Sequence, residues 1–138
     1  MDIEEAQRFA ADWEERWNSH DLDRVLAHYA DDVVFRSPYA VAVIGTDTVR
    51  GKDALRAYWT AGLKRLPDLR FTVESVQVCP RSPEAQDSQV PTGGDSTLGL
   101  DTVVINYRNQ VGQLISEVLT LRDGAVVSGF GAYGPVPV

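Results

Sequence analysis

The spacing of apolar residues in the first half of the chain predicts three amphipathic helices and one short strand. Steps of three and four residues put apolar side chains on one face of each helix. Asp21 is placed to cap the second helix, and Asp31-Asp32 ends it. Residues 33–35 form the strand, which closes at Ser37-Pro38, and Pro67 stops the third helix because it lacks an N–H. The three apolar faces are Ile3, Ala6, Ala10, Trp13 and Trp17; Leu22, Val25, Leu26 and Tyr29; and Leu55, Tyr58, Trp59, Gly62, Leu63 and Leu66.

From residue 69 onward the apolar positions alternate with a period of two, which predicts β-strands. Apolar residues occupy odd positions up to Val73 and even positions from Val76. Such a change of phase within a strand predicts a β-bulge near Glu74-Ser75, and bulges bend sheets strongly. Three more strands are predicted over 100–109, 113–121 and 125–133, with the last two joined by a hairpin turn at Asp123-Gly124.

The order of these elements predicts a single α+β domain over residues 1–138, because the helices precede the run of strands instead of alternating with it. We expect three N-terminal helices packed on a strongly curved, mostly antiparallel sheet. Residues 80–99 are rich in Pro, Gly, Ser and Asp. They predict a long mobile connection between two strands, which is either disordered or acts as a lid.

Composition and charge narrow the range of functions. The chain has 20 acidic and 13 basic residues, a formal net charge of −7, so its surface disfavours nucleic acid and anionic membranes as partners. Cys79 is the only cysteine, which excludes an intramolecular disulfide. We expect a cytoplasmic protein, because the N-terminus lacks the features of a signal peptide and no apolar run approaches the roughly 20 residues of a membrane span.

Several segments together resemble the nuclear-transport-factor-2-like superfamily, which includes SnoaL-like and ketosteroid isomerase-like domains. They are WNSHDLD at 17–23, YADDVVF at 29–35, GKDAL at 51–55, and the final hairpin with Asp123-Gly124 and Val126-Val127. The resemblance implies a cone-shaped pocket between the curved sheet and the helices. It also implies a homodimer formed through the sheet. Light scattering that shows a monomer at micromolar concentration would exclude this dimer. It does not settle function, because this fold hosts isomerases, cyclases, hydrolases and binding modules.

Glu117 is the acidic residue best placed for chemistry. Its face of the predicted strand is otherwise aliphatic, so the carboxyl group is expected to point at the core and to have a raised pKa. A raised carboxyl pKa suits a general acid, a general base or an oxyanion donor. Three alternatives stay open: the carboxyl group lines the pocket, it bonds a buried polar side chain for structural reasons, or its face lies in a dimer interface.

The resemblance to ketosteroid isomerases is incomplete at the catalytic positions. Glu117 falls where that family has a protonated acid that polarises the substrate carbonyl. Trp13 takes the place of the family's oxyanion-binding tyrosine, and an indole N–H donates one bond but does not titrate in a useful range. Ser37 stands where the family has its proton-shuttling aspartate, and a hydroxyl cannot abstract a carbon-bound proton without a strong base beside it. Ketosteroid isomerisation by that mechanism is therefore disfavoured.

Asp101 and Asp32 are the secondary acidic candidates. Asp101 shares parity with apolar residues of its strand, so it either pairs with Glu117 across the pocket or forms a solvated strand start. Asp32 begins the first strand and either reaches the pocket mouth or serves a structural role. The only histidines, His20 and His28, have no cysteine or carboxylate set at metal-ligand spacing, so neither a metal nor a cofactor is expected.

The aromatic residues are the other strong signal, because several of them are expected to converge on one cavity. Such a cavity favours a flat apolar or aromatic ligand. The leading hypothesis is a domain that binds a small hydrophobic molecule. The alternatives are a cofactor-free isomerase, cyclase or dehydratase that uses Glu117, and a dimeric interaction module. Phe130 is a further aromatic residue expected to converge on the cavity. The candidate ligand-binding residues are Trp13, Trp17, Tyr29, Phe35, Tyr39, Tyr58, Trp59, Tyr107 and Tyr133.

Overall fold

Helices and strands follow one another in the predicted α+β order. The computed structural model describes residues 1–81 and 99–138 of the chain. The predicted mobile connection over residues 80–99 therefore lies almost wholly outside the described residues. Within them, the helices are α1 (Ile3–Ser19), α2 (Leu22–Leu26), α3 (Val41–Ile44) and α4 (Lys52–Arg65), and the strands are β1 (Tyr29–Arg36), β2 (Thr48–Arg50), β3 (Thr72–Cys79), β4 (Asp101–Arg108), β5 (Leu114–Arg122) and β6 (Ala125–Tyr133).

Helix α1 turns its predicted apolar stripe toward the sheet. The Asp2 carboxylate accepts a hydrogen bond from the Glu5 N–H, which caps the first turn. The helix ends at His20, whose left-handed backbone (φ 60°) closes the last turn. Neither this helix nor any other described helix combines the length and the apolarity needed to cross a membrane. The residues that α1 buries are Ala6, Ala10, Trp13 and Trp17.

Helix α2 is shorter than its apolar pattern predicts, and Tyr29 belongs to strand β1 instead. The N–H of Val126 donates to the carbonyl oxygen of His28 at 2.8 Å, so pairing with the sheet begins directly after the helix. Asp31-Asp32 does not end the helix as predicted. It lies within β1, where the register against β6 shifts before Val34. The predicted three-residue strand is thus part of a strand of eight residues.

The described strands form one open sheet in the order β2-β1-β6-β5-β4-β3. Strand β1 runs parallel to β6, and the other neighbouring pairs are antiparallel. The predicted bulge in β3 is confirmed, because its register against β4 shifts between Val73 and Ser75. The sheet curves around α1 and α4, which pack against β3 and β1 respectively. The α+β class and the curved, mostly antiparallel sheet are therefore confirmed.

Residues 38–50 show no clear sequence pattern, and they form three short elements that shape one side of the cavity described below. A 3₁₀ turn at Pro38–Ala40 leads into α3, and strand β2 then pairs antiparallel with β1. The Ser37 N–H donates to the Asp47 carbonyl oxygen at 2.8 Å, and this bond holds the segment against the sheet. The helix predicted as the third along the chain is therefore α4.

The outer face of the sheet carries one apolar row across three strands. Val104 pairs with Val118, and Val118 pairs with Phe130. The Arg36 guanidinium lies 4.9 Å from the centre of the Phe130 ring, so Phe130 faces away from the helices. This is the face on which the predicted homodimer would form, and the dimer stays a prediction.

Candidate functional site

A cavity of about 490 Å³ opens between helix α4, the α3 segment and the inner face of the sheet. Strands β4, β5 and β6 contribute its floor, and the turn between β4 and β5 borders its mouth. Most of its wall is apolar, which favours an apolar occupant. The lining residues are Trp17, Tyr39, Val43, Tyr58, Trp59, Gly62, Leu63, Arg65, Leu66, Leu69, Phe71, Tyr107, Asn109, Gln110, Val111, Gln113, Ile115 and Tyr133.

Aromatic rings from six parts of the chain form the cavity wall. They come from α1, the 3₁₀ turn, α4, the segment before β3, and the strands β4 and β6. Their edge-on and tilted contacts fix the rings in place, because such geometries match the aromatic quadrupoles. Ring centroids lie 4.8 Å apart for Trp17 and Trp59, 4.6 Å for Phe71 and Tyr107, and 4.9 Å for Tyr39 and Tyr133.

The carboxyl group of Glu117 lies on the inner face of the sheet beneath this wall. Glu117 is 7% exposed, as its position on an otherwise aliphatic strand face predicts. The Tyr107 hydroxyl donates to Glu117 Oε1 at 2.9 Å. Burial raises the pKa of Glu117 to about 7, and the hydrogen bond from Tyr107 opposes part of that rise. The group therefore exchanges its proton near neutral pH.

Gly131 makes room for the phenol of Tyr133 beside Glu117. Gly131 pairs with Glu117 across strands β5 and β6. A Cβ atom added at Gly131 would lie 2.8 Å from the Tyr133 hydroxyl oxygen, so the absence of a side chain lets that hydroxyl lie over the strand. The pKa of Tyr133 is raised above its ordinary range by burial and by the nearby negative charge of Glu117.

Buried phenols surround the carboxyl group and stay protonated. Burial raises the pKa of Tyr107 and of Tyr29 well above the ordinary range, and the charge of Glu117 adds to both shifts. The Trp13 indole N–H opposes part of the rise in the pKa of Tyr29. Its geometry falls short of a standard hydrogen bond, and Trp13 Nε1 has no such partner among the described residues. The site therefore joins one carboxyl group that titrates near neutrality to phenols that remain donors.

Ser37 holds the Tyr58 phenol against the cavity wall. Ser37 is 2% exposed, and its hydroxyl oxygen lies 3.0 Å from that of Tyr58. Burial raises the pKa of Tyr58, and the hydrogen bond with Ser37 opposes that rise. Ser37 thus has a phenol beside it in place of the strong base that proton abstraction from carbon requires.

Six of the nine predicted ligand-binding residues line the cavity, and three do not. Trp13 lies below the wall and packs against Tyr107 at 5.0 Å. Tyr29 and Phe35 meet the edge of Trp59 at 5.2 and 5.5 Å, so Trp59 screens them from the cavity. Phe130, the further aromatic residue expected to converge on the cavity, lies on the opposite face of the sheet. The residues that do line the cavity are Trp17, Tyr39, Tyr58, Trp59, Tyr107 and Tyr133, and their part in binding stays a prediction.

Asp101 does not pair with Glu117. Glu117 pairs with Ile105, four residues along β4 from Asp101, which is roughly 13 Å at about 3.3 Å per residue. The Asp101 carboxylate instead accepts hydrogen bonds from the Met1 ammonium group at 3.1 Å and from the Arg81 N–H at 2.9 Å. Burial alone would raise the pKa of Asp101, but these two bonds outweigh it and lower the pKa. The structure therefore assigns Asp101 to the strand end.

Asp32 lies outside the cavity as well. Its side chain is 70% exposed and its carboxylate lies 3.5 Å from Arg122 Nη2. The alternation of side chains along β1 turns it outward, while Val33 and Phe35 are buried. Asp32 therefore forms a surface ion pair in place of the predicted contact with the pocket mouth.

Neither histidine lies in the cavity. His28 Nε2 lies 2.9 Å from Asp12 Oδ2, and the ring of Phe9 packs on the imidazole at 4.6 Å. His20 Nε2 lies 2.7 Å from the Leu69 carbonyl oxygen and ties the end of α1 to the segment before β3. Across residues 1–81 and 99–138, no group of three or more His, Cys, Asp and Glu side chains is placed to hold a metal ion.

The sequence hypothesis missed the polar residues at the cavity mouth. Arg65 comes from the last turn of α4, and Asn109, Gln110 and Gln113 come from the turn between β4 and β5. Helix periodicity and strand parity do not indicate where a helix end and a turn meet. Phe71 was also missed as a lining residue, although its alternation with Leu69 and Val73 marks an inward face.

Comparison with known proteins assigns the family. A family model described as a SnoaL-like domain matches residues 10–128, and the chain belongs to this family. The chain is also similar to a SnoaL-like protein of unknown function from Burkholderia thailandensis, with 31% identity and a TM-score of 0.75. That match covers 98% of this chain and 99% of the other. No curated protein matches the sequence.

Two more distant structures share the fold. IdmH of Streptomyces antibioticus, a candidate polyketide cyclase, is 17% identical with a TM-score of 0.63, and the match covers 93% of this chain and 91% of the other. The orange carotenoid protein of Anabaena (Nostoc), solved with canthaxanthin, is 16% identical with a TM-score of 0.62. That match covers 87% of this chain but 33% of the carotenoid protein. At these identities the likeness concerns the fold alone.

Proposed function

We propose that this SnoaL-like domain binds one small, flat, largely apolar molecule in the cavity under α4. The observation that carries the proposal is the cavity wall, in which aromatic rings from separate parts of the chain surround about 490 Å³. Such a volume suits a molecule of about two to four fused rings. The canthaxanthin complex of the carotenoid protein supports a ligand-binding role for this fold without identifying the ligand here.

The polar groups in and beneath the wall favour a ligand that carries one oxygen function. The Tyr58 and Tyr133 phenols border the cavity and remain protonated, so a phenol that accepts from Ser37 keeps its own proton to donate to a carbonyl or hydroxyl oxygen. The Tyr107 hydroxyl is already engaged by Glu117. A ligand oxygen that accepts from a phenol in this apolar surrounding is oriented as well as bound, because an unpaired donor there would be costly.

A thermal-shift panel tests this proposal. The panel compares 2-naphthol, 2-acetylnaphthalene and a four-ring steroid ketone. We expect at least one of them to raise the melting temperature of the protein by several degrees. A ligand at one hundred times its Kd adds about 2.7 kcal/mol to the free energy of unfolding. The absence of stabilisation by any member, at concentrations up to the solubility limit, would contradict a cavity that accepts flat apolar molecules.

Glu117 favours a second candidate function, a cofactor-free enzyme that moves a proton on the bound molecule. A carboxyl group with a pKa of about 7 is divided between its acid and base forms at physiological pH, which suits general acid–base catalysis. Isomerisation, cyclisation and dehydration all need such a transfer. The binding role ranks first, because the Glu117 carboxyl group is bonded by Tyr107 and is not among the residues that line the cavity.

The probe 5-nitrobenzisoxazole separates these two functions. A base removes its ring C–H proton, the N–O bond breaks, and the coloured product is a cyanophenolate. If Glu117 acts as a base, the rate should rise through about pH 7 and fall by at least about a hundredfold in Glu117→Gln. An equal rate in both proteins would remove Glu117 from catalysis and leave the binding role standing.

A further inference from the structure

The mouth of the cavity carries a single charge among the described lining residues, and that charge is positive. Arg65, in the last turn of α4, is the residue that supplies it. The side chain is exposed, and its guanidinium group forms no ion pair with any carboxylate among residues 1–81 and 99–138. An arginine without a partner, at the edge of an apolar cavity in a chain of net charge −7, is an available site for an anion.

Amide side chains line the same cavity as this charge. The turn after β4 is fixed by its own hydrogen bonds, with the Gln113 N–H donating to Asn109 Oδ1 at 3.0 Å and Gln113 Nε2 donating to the Gly134 carbonyl oxygen at 2.7 Å. Gln110 differs from its neighbours, because its Oε1 is buried without a partner among the described residues. The Gln110 Nε2 amide group, in contrast, keeps accessible surface and forms no hydrogen bond with a described residue, so it is the group that can donate to a ligand.

The two ends of the cavity therefore carry different chemical groups. The inner end is lined by neutral phenols, and beneath them the carboxyl group of Glu117 repels an anion once it is ionised. The outer end holds the guanidinium group and the unpaired amide of Gln110. Between them the wall is aromatic and aliphatic.

We infer that the ligand is an amphipathic aromatic acid, whose fused-ring body fills the cavity and whose carboxylate lies at the mouth against Arg65. This inference rests on the proposed function, since it assigns a substrate class and an orientation to the same cavity. Arginine pairs with a carboxylate through two parallel N–H···O bonds, which fixes the direction in which the ring system enters. Gln110 completes the contact with one amide N–H.

Titration calorimetry with two probes tests the inference. The probe 2-naphthoate carries a carboxylate, and 2-acetylnaphthalene replaces it with a neutral group of nearly the same shape. We expect the protein to bind 2-naphthoate more tightly, and Arg65→Gln to weaken that binding by about three- to tenfold. The same variant should leave the affinity for 2-acetylnaphthalene unchanged, since only the charge is removed from an exposed position.

Lys64→Gln is the matched control. Lys64 precedes Arg65 on α4 and carries the same charge, but it lines a separate surface depression and not the cavity. It should therefore leave the affinity for both probes unchanged. An equal loss of 2-naphthoate affinity in the two variants would attribute the effect to net charge. An equal loss of affinity for both probes in Arg65→Gln would attribute it to the apolar stem of the arginine. Either result overturns the inference. Unaltered 2-naphthoate binding in Arg65→Gln overturns it as well. Binding of neither probe to the unmodified protein would instead contradict the proposed function itself.

Discussion

Replacing Glu117 with glutamine is expected to raise the free energy of unfolding by about 2–3 kcal/mol at pH 8 and by much less at pH 5. Burial raises the pKa of Glu117 from the ordinary 4.5 to about 7 in the folded protein. Each unit of that difference corresponds to about 1.4 kcal/mol between the two protonation states. The upper limit of the effect is therefore about 3.4 kcal/mol, and imperfect pairing of the new amide group reduces it.

The sign of this stability change follows from whether the folded or the unfolded state binds the Glu117 proton more tightly. In the unfolded chain the Glu117 carboxyl group loses its proton near pH 4.5, whereas in the folded protein it keeps the proton until about pH 7. Between these values the folded state binds more protons, so its stability falls as the pH rises and levels off above pH 7. Glutamine cannot ionise and avoids this loss. Its carbonyl oxygen can still accept the hydrogen bond from Tyr107.

Urea denaturation of the two proteins at pH 5 and pH 8 measures this difference directly. Glu4→Gln is the control, because Glu4 is an exposed residue in the first turn of α1 and loses the same charge. The control should change stability by less than about 0.5 kcal/mol at either pH. A Glu117→Gln variant that is less stable than the original at pH 8, or whose effect does not change with pH, would contradict a buried carboxyl group that is costly to ionise.

Replacing Gly62 with phenylalanine is expected to abolish ligand binding while the protein stays folded. Gly62 lies near the C-terminal end of α4 and lines the cavity, and an added Cβ atom there would meet nothing within 4 Å. A phenyl ring at this position would project into the space that the ligand occupies. We expect the affinity for 2-acetylnaphthalene to fall by at least about tenfold, which is about 1.4 kcal/mol.

Gly62→Ala is the matched control for that variant. It adds one methyl group to the open space and removes glycine from a helix interior, which should stabilise the protein by about 0.5–1 kcal/mol. It should leave binding within about twofold of the original protein. If Gly62→Phe binds the probe as tightly as Gly62→Ala, the ligand does not occupy this cavity. If Gly62→Phe fails to fold, the space next to Gly62 is smaller than the structure indicates.

The sequence predicted those features that depend on local periodicity. The three- and four-residue steps of α1 placed Trp13 and Trp17 on its buried face. The alternation along β5 placed Glu117 inward, and the change of phase after Val73 located the bulge in β3. These predictions succeeded because the period of a helix or strand fixes the direction of each side chain without knowledge of the rest of the fold.

Long-range register was beyond the reach of the sequence. Parity alone allowed Asp101 to face Glu117, but their separation along the sheet depends on how β4 and β5 align. The parallel pairing of β1 with β6 joins opposite ends of the chain and explains why Tyr29 belongs to a strand and not to the preceding helix. Which aromatic residues reach the cavity depends on three-dimensional screening, such as that of Phe35 by Trp59.

The polar residues at the cavity mouth could not be predicted from the sequence for a similar reason. Arg65 and Gln110 are far apart in sequence, and each alone is an ordinary surface residue at the end of a helix or in a turn. Only the folded arrangement brings them to one opening. A sequence reading that follows apolar periodicity therefore locates the wall of such a site better than its polar edge.

The chain's isoleucines allow the most direct test of the central claim, that a flat apolar molecule occupies this cavity. Ile115 lines the cavity, whereas Ile3 is exposed at the start of α1. In a methyl NMR spectrum of isoleucine-labelled protein titrated with 2-acetylnaphthalene, the account predicts a large ring-current shift of the Ile115 methyl signal and no shift for Ile3. Saturable binding that leaves the Ile115 signal unmoved would contradict it.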